Sequence, residues 1–256
     1  MRPVVMYADD DPRPFVLFDL DGTLIRPGSG MQRAHMTAME RAIREISGSA
    51  EKFRYRGGDL YYAHINLSGF TDAGTIEAAL TIAGVPRSEL PAARATAVAR
   101  MGRNLMTDAG TRAGAAGDAL PGAVHTVRSL AGAGVPVGLS TGNARDVAMW
   151  KVAQLGLADV LRTGGFGDTA CDRDAVVAQG VTAFDAVAES GVVVGDTPKD
   201  ISAAHASGLR CIAVATGGAS VETLRLAGAD DVLTDLDQPD AVRVITAGAR
   251  GYPLHA

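Results

Sequence analysis

The chain has 256 residues, 47% of them hydrophobic and 21% charged, and carries a formal net charge of -5. That is enough for one large domain or two modest ones around a sizeable core, and no apolar run is long enough to span a bilayer. The acidic balance excludes a surface that grips a nucleic-acid backbone, which needs a basic face, but it is compatible with a local positive site for a small anion.

Residues 1–13 are polar and acidic, lack the apolar centre of a signal peptide, and are expected to form an N-terminal extension. Phe15–Phe18 follows as a short apolar run, the pattern of a parallel strand buried on both faces. It ends in Asp19-Leu20-Asp21-Gly22-Thr23-Leu24. A buried strand shuns charge, so two carboxylates at its end mark a site. Residues i and i+2 of an extended chain point the same way. Converging carboxylates repel unless a cation lies between them, and hard divalent metals such as Mg2+ take oxygen ligands.

From about Met31 to Gly117 the texture changes. Apolar residues at helical spacing predict helices over 31–47, 73–83 and 88–107, and no convincing strand is visible. Pro27-Gly28-Ser29-Gly30 and the small-residue run 113–117 punctuate the two ends as hinges. The segment reads as an inserted α-helical domain over 29–117, with 14–28 and 118–250 forming the core. Within it, Phe53-Arg54-Tyr55-Arg56 and Tyr61-Tyr62-Ala63-His64 stand out as polar and aromatic runs in otherwise Ala-rich sequence.

Beyond the insert, strands are predicted over 135–140, 192–195, 211–215 and 231–233, with a short one near 160–163. Helices are predicted over 123–132, 144–155, 174–189 and 201–207. This alternation predicts a doubly wound parallel α/β sheet, in which ligands bind at the carboxyl ends of the strands. One such end carries Ser140-Thr141-Gly142-Asn143. Hydroxyls, a glycine and free amides at a helix start form either an anion cradle or an ordinary helix cap. Another carries Gly195-Asp196-Thr197-Pro198-Lys199-Asp200, where Pro198 suits a first helical turn flanked by Asp196 and Asp200. Two acidic strand ends and one cradle on a single sheet edge describe a metal-assisted phosphate site. Cys171 and Cys211 show no metal spacing and no disulfide framework, which fits a reduced cytoplasmic setting.

These motifs resemble those of the haloacid dehalogenase-like (HAD) hydrolases, and within them the phosphoglycolate phosphatase-like enzymes with a helical cap. Asp19-x-Asp21-Gly22-Thr23-Leu24 is similar to the family's first motif, Leu139-Ser140-Thr141-Gly142-Asn143 to its second, and the segment from Gly195 to Asp200 to its fourth. Gly69-Phe70-Thr71-Asp72 is similar to a cap segment of these relatives. The third motif departs from the family pattern. The family's usual lysine is missing between Lys151 and Lys199, so Arg173 is the first candidate for the basic residue and Lys151 the second.

The resemblance implies a Rossmann-like core, a mobile cap and Mg2+-dependent hydrolysis of a small phosphate monoester. Asp19 would be the nucleophile that forms an aspartyl-phosphate, and Asp21 the general acid and base. Asp19, Asp196 and the carbonyl of Asp21 would hold the metal, with Asp200 a direct or outer partner. Thr141 (or Ser140), Gly142, Asn143 and the third-motif cation would hold the phosphoryl group. Arg54, Arg56, His64, Thr71 and Asp72 are candidates to face the site from the cap. The expected partner is a small phosphorylated metabolite, not nucleic acid or membrane. A phosphonoacetaldehyde-type hydrolase using Lys52, a phosphomutase, and a non-catalytic phosphometabolite-binding regulator are the competing readings.

Overall fold

The structure, a computed structural model, describes residues 14–56, 59–107, 117–184 and 190–249. The expected N-terminal extension, most of the second hinge, the end of the helix predicted over 174–189 and the C-terminal tail lie outside the described residues.

Strands β1 (Phe15–Phe18), β5 (Val137–Thr141), β6 (Gly164–Phe166), β7 (Gly191–Gly195), β8 (Arg210–Val214) and β9 (Asp231–Leu233) form one sheet in the order β6-β5-β1-β7-β8-β9. Every pairing in it is parallel. The chain winds outward from β1 through β5 to β6, then returns to the other side of β1 for β7, β8 and β9. β1 therefore sits where the strand order reverses, the place at which such sheets bind ligands.

Alternation along the strands feeds two apolar layers. Val16, Phe18, Val192, Val194, Ile212 and Val214 face one side and pack with α4 (Ala123–Gly132), α5 (Arg145–Gln154) and α9 (Ala241–Gly248). Phe15, Leu17, Val193, Cys211 and Ala213 face the other, against α6 (Arg173–Ala183), α7 (Pro198–Ala206) and α8 (Val221–Leu226).

Two expectations are corrected. The strand expected near 160–163 lies at Gly164–Phe166 instead. It carries two glycines because its neighbours approach closely. A Cβ on Gly164 would lie 2.0 Å from the Leu139 carbonyl oxygen, and one on Gly165 would lie 1.7 Å from that of Val176. The strand thus lacks the branched residues that make a strand legible.

The insert is also not purely helical. Besides α1 (Gly30–Ser47), α2 (Asp72–Ile82) and α3 (Leu90–Thr107), it contains an antiparallel sheet of β2 (Phe53–Arg56), β3 (Asp59–Tyr62) and β4 (Ile65–Asn66). The register pairs Phe53 with Tyr62 and Arg56 with Asp59. Alternating Phe53-Arg54-Tyr55-Arg56 puts both aromatics on one face. Phe53 packs on Tyr62 with ring centroids 5.1 Å apart, and aromatic cross-strand pairs stabilise a sheet.

The insert and the core share one apolar cluster. Met39, Ile43, Tyr62, Ile76 and Met101 are continuous with Val147, Ala148 and Trp150 of α5. The two connections to the core also pair with each other. The Arg26 amide donates to the Asp118 carbonyl (2.8 Å) and the Leu120 amide to the Leu24 carbonyl (3.0 Å). The Asp118 carboxylate then accepts from the amides of Gly30 (3.2 Å) and Met31 (2.8 Å), and so fixes the start of α1 together with its N-cap Ser29.

Candidate active site

The carboxyl ends of β1 and β7 bring three carboxylates together. The Asp19 amide continues the sheet by donating to the Val194 carbonyl at 2.9 Å. Asp196 follows β7, and Asp200 lies in the first turn of α7, which starts at Pro198 as its sequence predicts. One oxygen from each of Asp19, Asp196 and Asp200 lies within 4.8 Å of the others, and all three residues are buried.

Two glycines make room for Asp196. A Cβ on Gly22 would come within 2.3 Å of its Oδ2 and one on Gly217 within 1.7 Å, and Gly22 has a φ of +96°, the left-handed region glycine tolerates. The Thr23 hydroxyl donates to Asp196 Oδ1 at 3.3 Å.

Arg173 joins this group from the first residue of α6, a position where the helix dipole disfavours a cation. Carboxylates offset that cost. Its Nη2 lies 2.7 Å from Asp19 Oδ1, while Nε (2.9 Å) and Nη2 (2.5 Å) both donate to Asp200 Oδ1. Those two carboxylates raise the guanidinium above its ordinary value despite its burial.

Three acids against one guanidinium leave negative charge uncompensated. Burial pushes the Asp19 carboxyl up, Arg173 pulls it back, and Asp200 and Asp21 add to the rise, leaving it at about 6. Burial and then Asp200 and Asp19 push Asp196 well above its ordinary value. A buried set of hard oxygen donors with excess negative charge fits a divalent cation such as Mg2+. Asp200 is the least available donor. Its Oδ1 serves Arg173, and its Oδ2 accepts from the Thr197 amide (3.1 Å) and hydroxyl (2.7 Å) in a capping box.

Asp21 lies on the other side of the site. Its Oδ2 accepts from Lys151 Nζ at 2.6 Å and from Asn143 Nδ2 at 2.8 Å. Its Oδ1 is buried and has no hydrogen-bond partner among the described residues. Burial alone would raise this carboxyl, but the charge of Lys151 and the hydrogen bonds from Lys151 and Asn143 carry it below the usual carboxylate range. Lys151, fully buried on α5, also donates to Asn143 Oδ1 at 2.7 Å. The two candidates for the third-motif cation therefore both reach the site on opposite flanks, Arg173 against Asp19 and Lys151 against Asp21.

The cradle after β5 lies between them. Thr141 Oγ1 accepts from Asn143 Nδ2 at 2.8 Å and from the Asn143 amide at 3.3 Å. Ser140 falls on the opposite face of the strand; it is fully buried, and its hydroxyl has no partner among the described residues. A Cβ on Gly142 would meet Arg173 Nη1 and the Phe70 carbonyl oxygen, each at 3.1 Å.

That closeness comes from the insert, whose segment Gly69-Phe70-Thr71-Asp72 seats directly on the cradle. The Asp72 amide donates to the Gly142 carbonyl (2.7 Å) and the Ala73 amide to the Gly167 carbonyl (2.9 Å). Lys199 Nζ reaches the Ser68 carbonyl at 2.6 Å and lies 4.7 Å from the centroid of the Phe70 ring.

Of the cap candidates, Thr71 and Asp72 are buried at this contact. Arg54, Arg56 and His64 are exposed; Arg56 stacks on Tyr61. Sequence reasoning missed His35, buried on α1, whose Nδ1 lies 3.3 Å from Lys151 Nζ. Its only sequence signal is a polar residue in the apolar stripe of Met31, His35, Ala38, Met39 and Ala42, a pattern that core histidines share.

The fold and the acidic strand ends together define a hydrolase of the HAD type. The sequence profile of haloacid dehalogenase-like hydrolases matches residues 15–208, and the chain belongs to that family. It is 29% identical over 208 residues to a phosphoglycolate phosphatase of Rhodospirillum rubrum, spanning 79% of each chain. Among solved structures it resembles a β-phosphoglucomutase from Clostridium difficile (TM-score 0.65, 14% identity, covering 94% of this chain and 98% of that one). It also resembles CbbY from Rhodobacter sphaeroides in complex with phosphate (TM-score 0.61, 19% identity, 88% and 96% covered). No described helix is long and apolar enough to cross a membrane.

Proposed function

We propose that the protein is a Mg2+-dependent phosphatase that hydrolyses a small phosphate monoester through an aspartyl-phosphate on Asp19, with 29–117 as its cap on a 14–28 and 118–250 core. The observation that carries the reading is Asp21. One oxygen is held by Lys151 and Asn143, and the other is buried and unpartnered, two residues from Asp19. A carboxyl so placed serves proton transfer to and from an alkoxide, which departure of a halide does not need.

Asp19 attacks phosphorus, the bond from phosphorus to the ester oxygen breaks, and the Asp21 proton goes to the departing alkoxide. Asp21 then takes a proton from the water that attacks the phosphoryl group and frees Asp19. The surroundings suit both halves. A bound phosphate dianion opposes the pull of Lys151 and favours the protonated acid of the first half, while the ionised form that Lys151 favours is the base of the second.

Asp19 and Asp196 would hold Mg2+ with the Asp21 carbonyl, and Asp200, engaged by Arg173 and Thr197, would act from the outer side. Bound there, the ion supplies charge compensation for a carboxylate meeting an anionic phosphate. Arg173, Thr141 and the amides of Gly142 and Asn143 would hold the phosphoryl oxygens. Lys52 is exposed on the insert, whereas a Schiff-base lysine is activated by burial. The Rhodospirillum relative makes phosphoglycolate the first metabolite to try, and the unpaired Cys171 and Cys211 suit a reduced cytoplasmic setting.

The test is release of phosphate from p-nitrophenyl phosphate with Mg2+, with EDTA, and by Asp19→Asn. Release that needs Mg2+ and is lost by more than about a thousandfold in the variant is expected. Near-wild-type turnover by Asp19→Asn would overturn the assignment.

A further inference from the structure

A chain of buried polar groups runs from Asp21 into the insert. Lys151 Nζ carries three protons, and it has three acceptors: Asp21 Oδ2 at 2.6 Å, Asn143 Oδ1 at 2.7 Å and His35 Nδ1 at 3.3 Å. Because His35 accepts through Nδ1, its ring proton is on Nε2, which donates to Asp72 Oδ2 at 3.1 Å. The same Asp72 oxygen accepts from the Ala144 amide at 2.7 Å, capping α5, whose own N-cap residue Ala144 supplies no side-chain bond. From Lys151 to Ala144 every link is buried, Asp21 at the outer end is partly exposed, and the chain crosses twice between insert and core, once through α1 and once through α2.

We propose that His35 and Asp72 are positioning residues for the acid–base step. Together they fix the Lys151 ammonium, through which they fix the Asp21 carboxyl by its Oδ2 and leave Oδ1 as the oxygen for proton transfer. Seating of the insert then completes the acid as well as covering the site. Without His35 one buried N–H of Lys151 loses its acceptor, a costly state, and the ammonium moves to recover one. Asp21 moves with it, and small misplacements of a reacting group cost rate steeply. Arg173, Asp19 and Asp196 take no part in this chain, so attack on phosphorus is spared.

The proposal rests on the phosphatase reading above and makes a demand of its own. Loss of His35 should hurt esters whose alcohol needs a proton to leave and spare those whose alcohol does not. The measurement is kcat/KM, which reports leaving-group departure, for phenyl phosphate and 2,4-dinitrophenyl phosphate with Mg2+. In His35→Leu the phenyl ester should lose about ten- to a hundredfold and the dinitrophenyl ester less than about threefold. His35→Asn, which keeps an acceptor at the δ position, should recover most of the loss. If His35→Leu does not fold, Asp72→Ala, which frees the His35 ring, is read the same way. Equal losses on both esters, or none on either, with an active wild type would overturn the positioning role and leave the phosphatase reading standing. A wild type inert toward both esters would overturn that reading and this proposal with it.

Discussion

Asp19 and Asp21 leave the same strand two residues apart, yet their surroundings drive them in opposite directions. Asp19 faces Asp196 and Asp200, and its carboxyl rises to about 6. Asp21 faces Lys151 and Asn143, and its carboxyl falls below the ordinary range. One flank of the site thus carries excess negative charge, and the other is balanced, the Lys151 ammonium against the Asp21 carboxylate. The acidic flank is incomplete without a cation. The basic flank is complete from protein groups alone and draws one of them, His35, from the insert. Two like residues with separated environments are the usual basis for distinct catalytic roles.

Removal of the Asp21 carboxyl charge offers the larger test of this division. Asp21→Asn should lower kcat for phenyl phosphate by about a hundred- to ten-thousandfold while Mg2+ binding, followed by calorimetry, changes little. Loss of Mg2+ binding in that variant would merge the two flanks into one.

A smaller effect concerns stability of the metal-free protein. The folded state holds the Asp19 proton more tightly than the unfolded chain, where the ordinary value is 3.8, so the Asp19 contribution to stability declines as pH rises from 3.8 to about 6. Asp19→Asn should therefore raise the melting temperature by a few degrees at neutral pH, with the gain shrinking toward pH 4. Asp21 has the opposite sign. Its lowered value contributes stability that is present above the ordinary carboxylate range and lost as the pH falls through the lowered value. Asp21→Asn should lower the melting temperature at neutral pH. Shifts of the same sign in both variants, measured by scanning calorimetry in EDTA, would contradict the comparison.

The sequence exposes the acidic flank better than the basic one, for a physical reason. Asp19, Asp196 and Asp200 each stand in a local context, a buried apolar strand running into charge, that a single stretch of sequence displays. Arg173 is visible at the start of its helix, but its grip on Asp19 and Asp200 is not. Lys151, His35 and Asp72 come from three helices; the sequence singles out Lys151 and Asp72 as candidates, but nothing in it links them to each other or to His35. Only tertiary packing of α1 and α2 against α5 makes them a chain. The small sheet at Phe53–Asn66 escaped for a related reason: its strands are short and half exposed, so they show polar alternation without an apolar core signal. β6 was displaced by a few residues because close backbone approach demands glycine where a strand ordinarily shows branched side chains.

The central claim is that the phosphoryl group passes through Asp19. It is tested most directly by quenching turnover with borohydride, which reduces an acyl phosphate to an alcohol, and mapping the modified residue by peptide mass spectrometry. The account predicts homoserine in place of aspartate at position 19, formed only when ester and Mg2+ are both present. Active turnover that leaves Asp19 unmodified, or that marks a different residue, would contradict it.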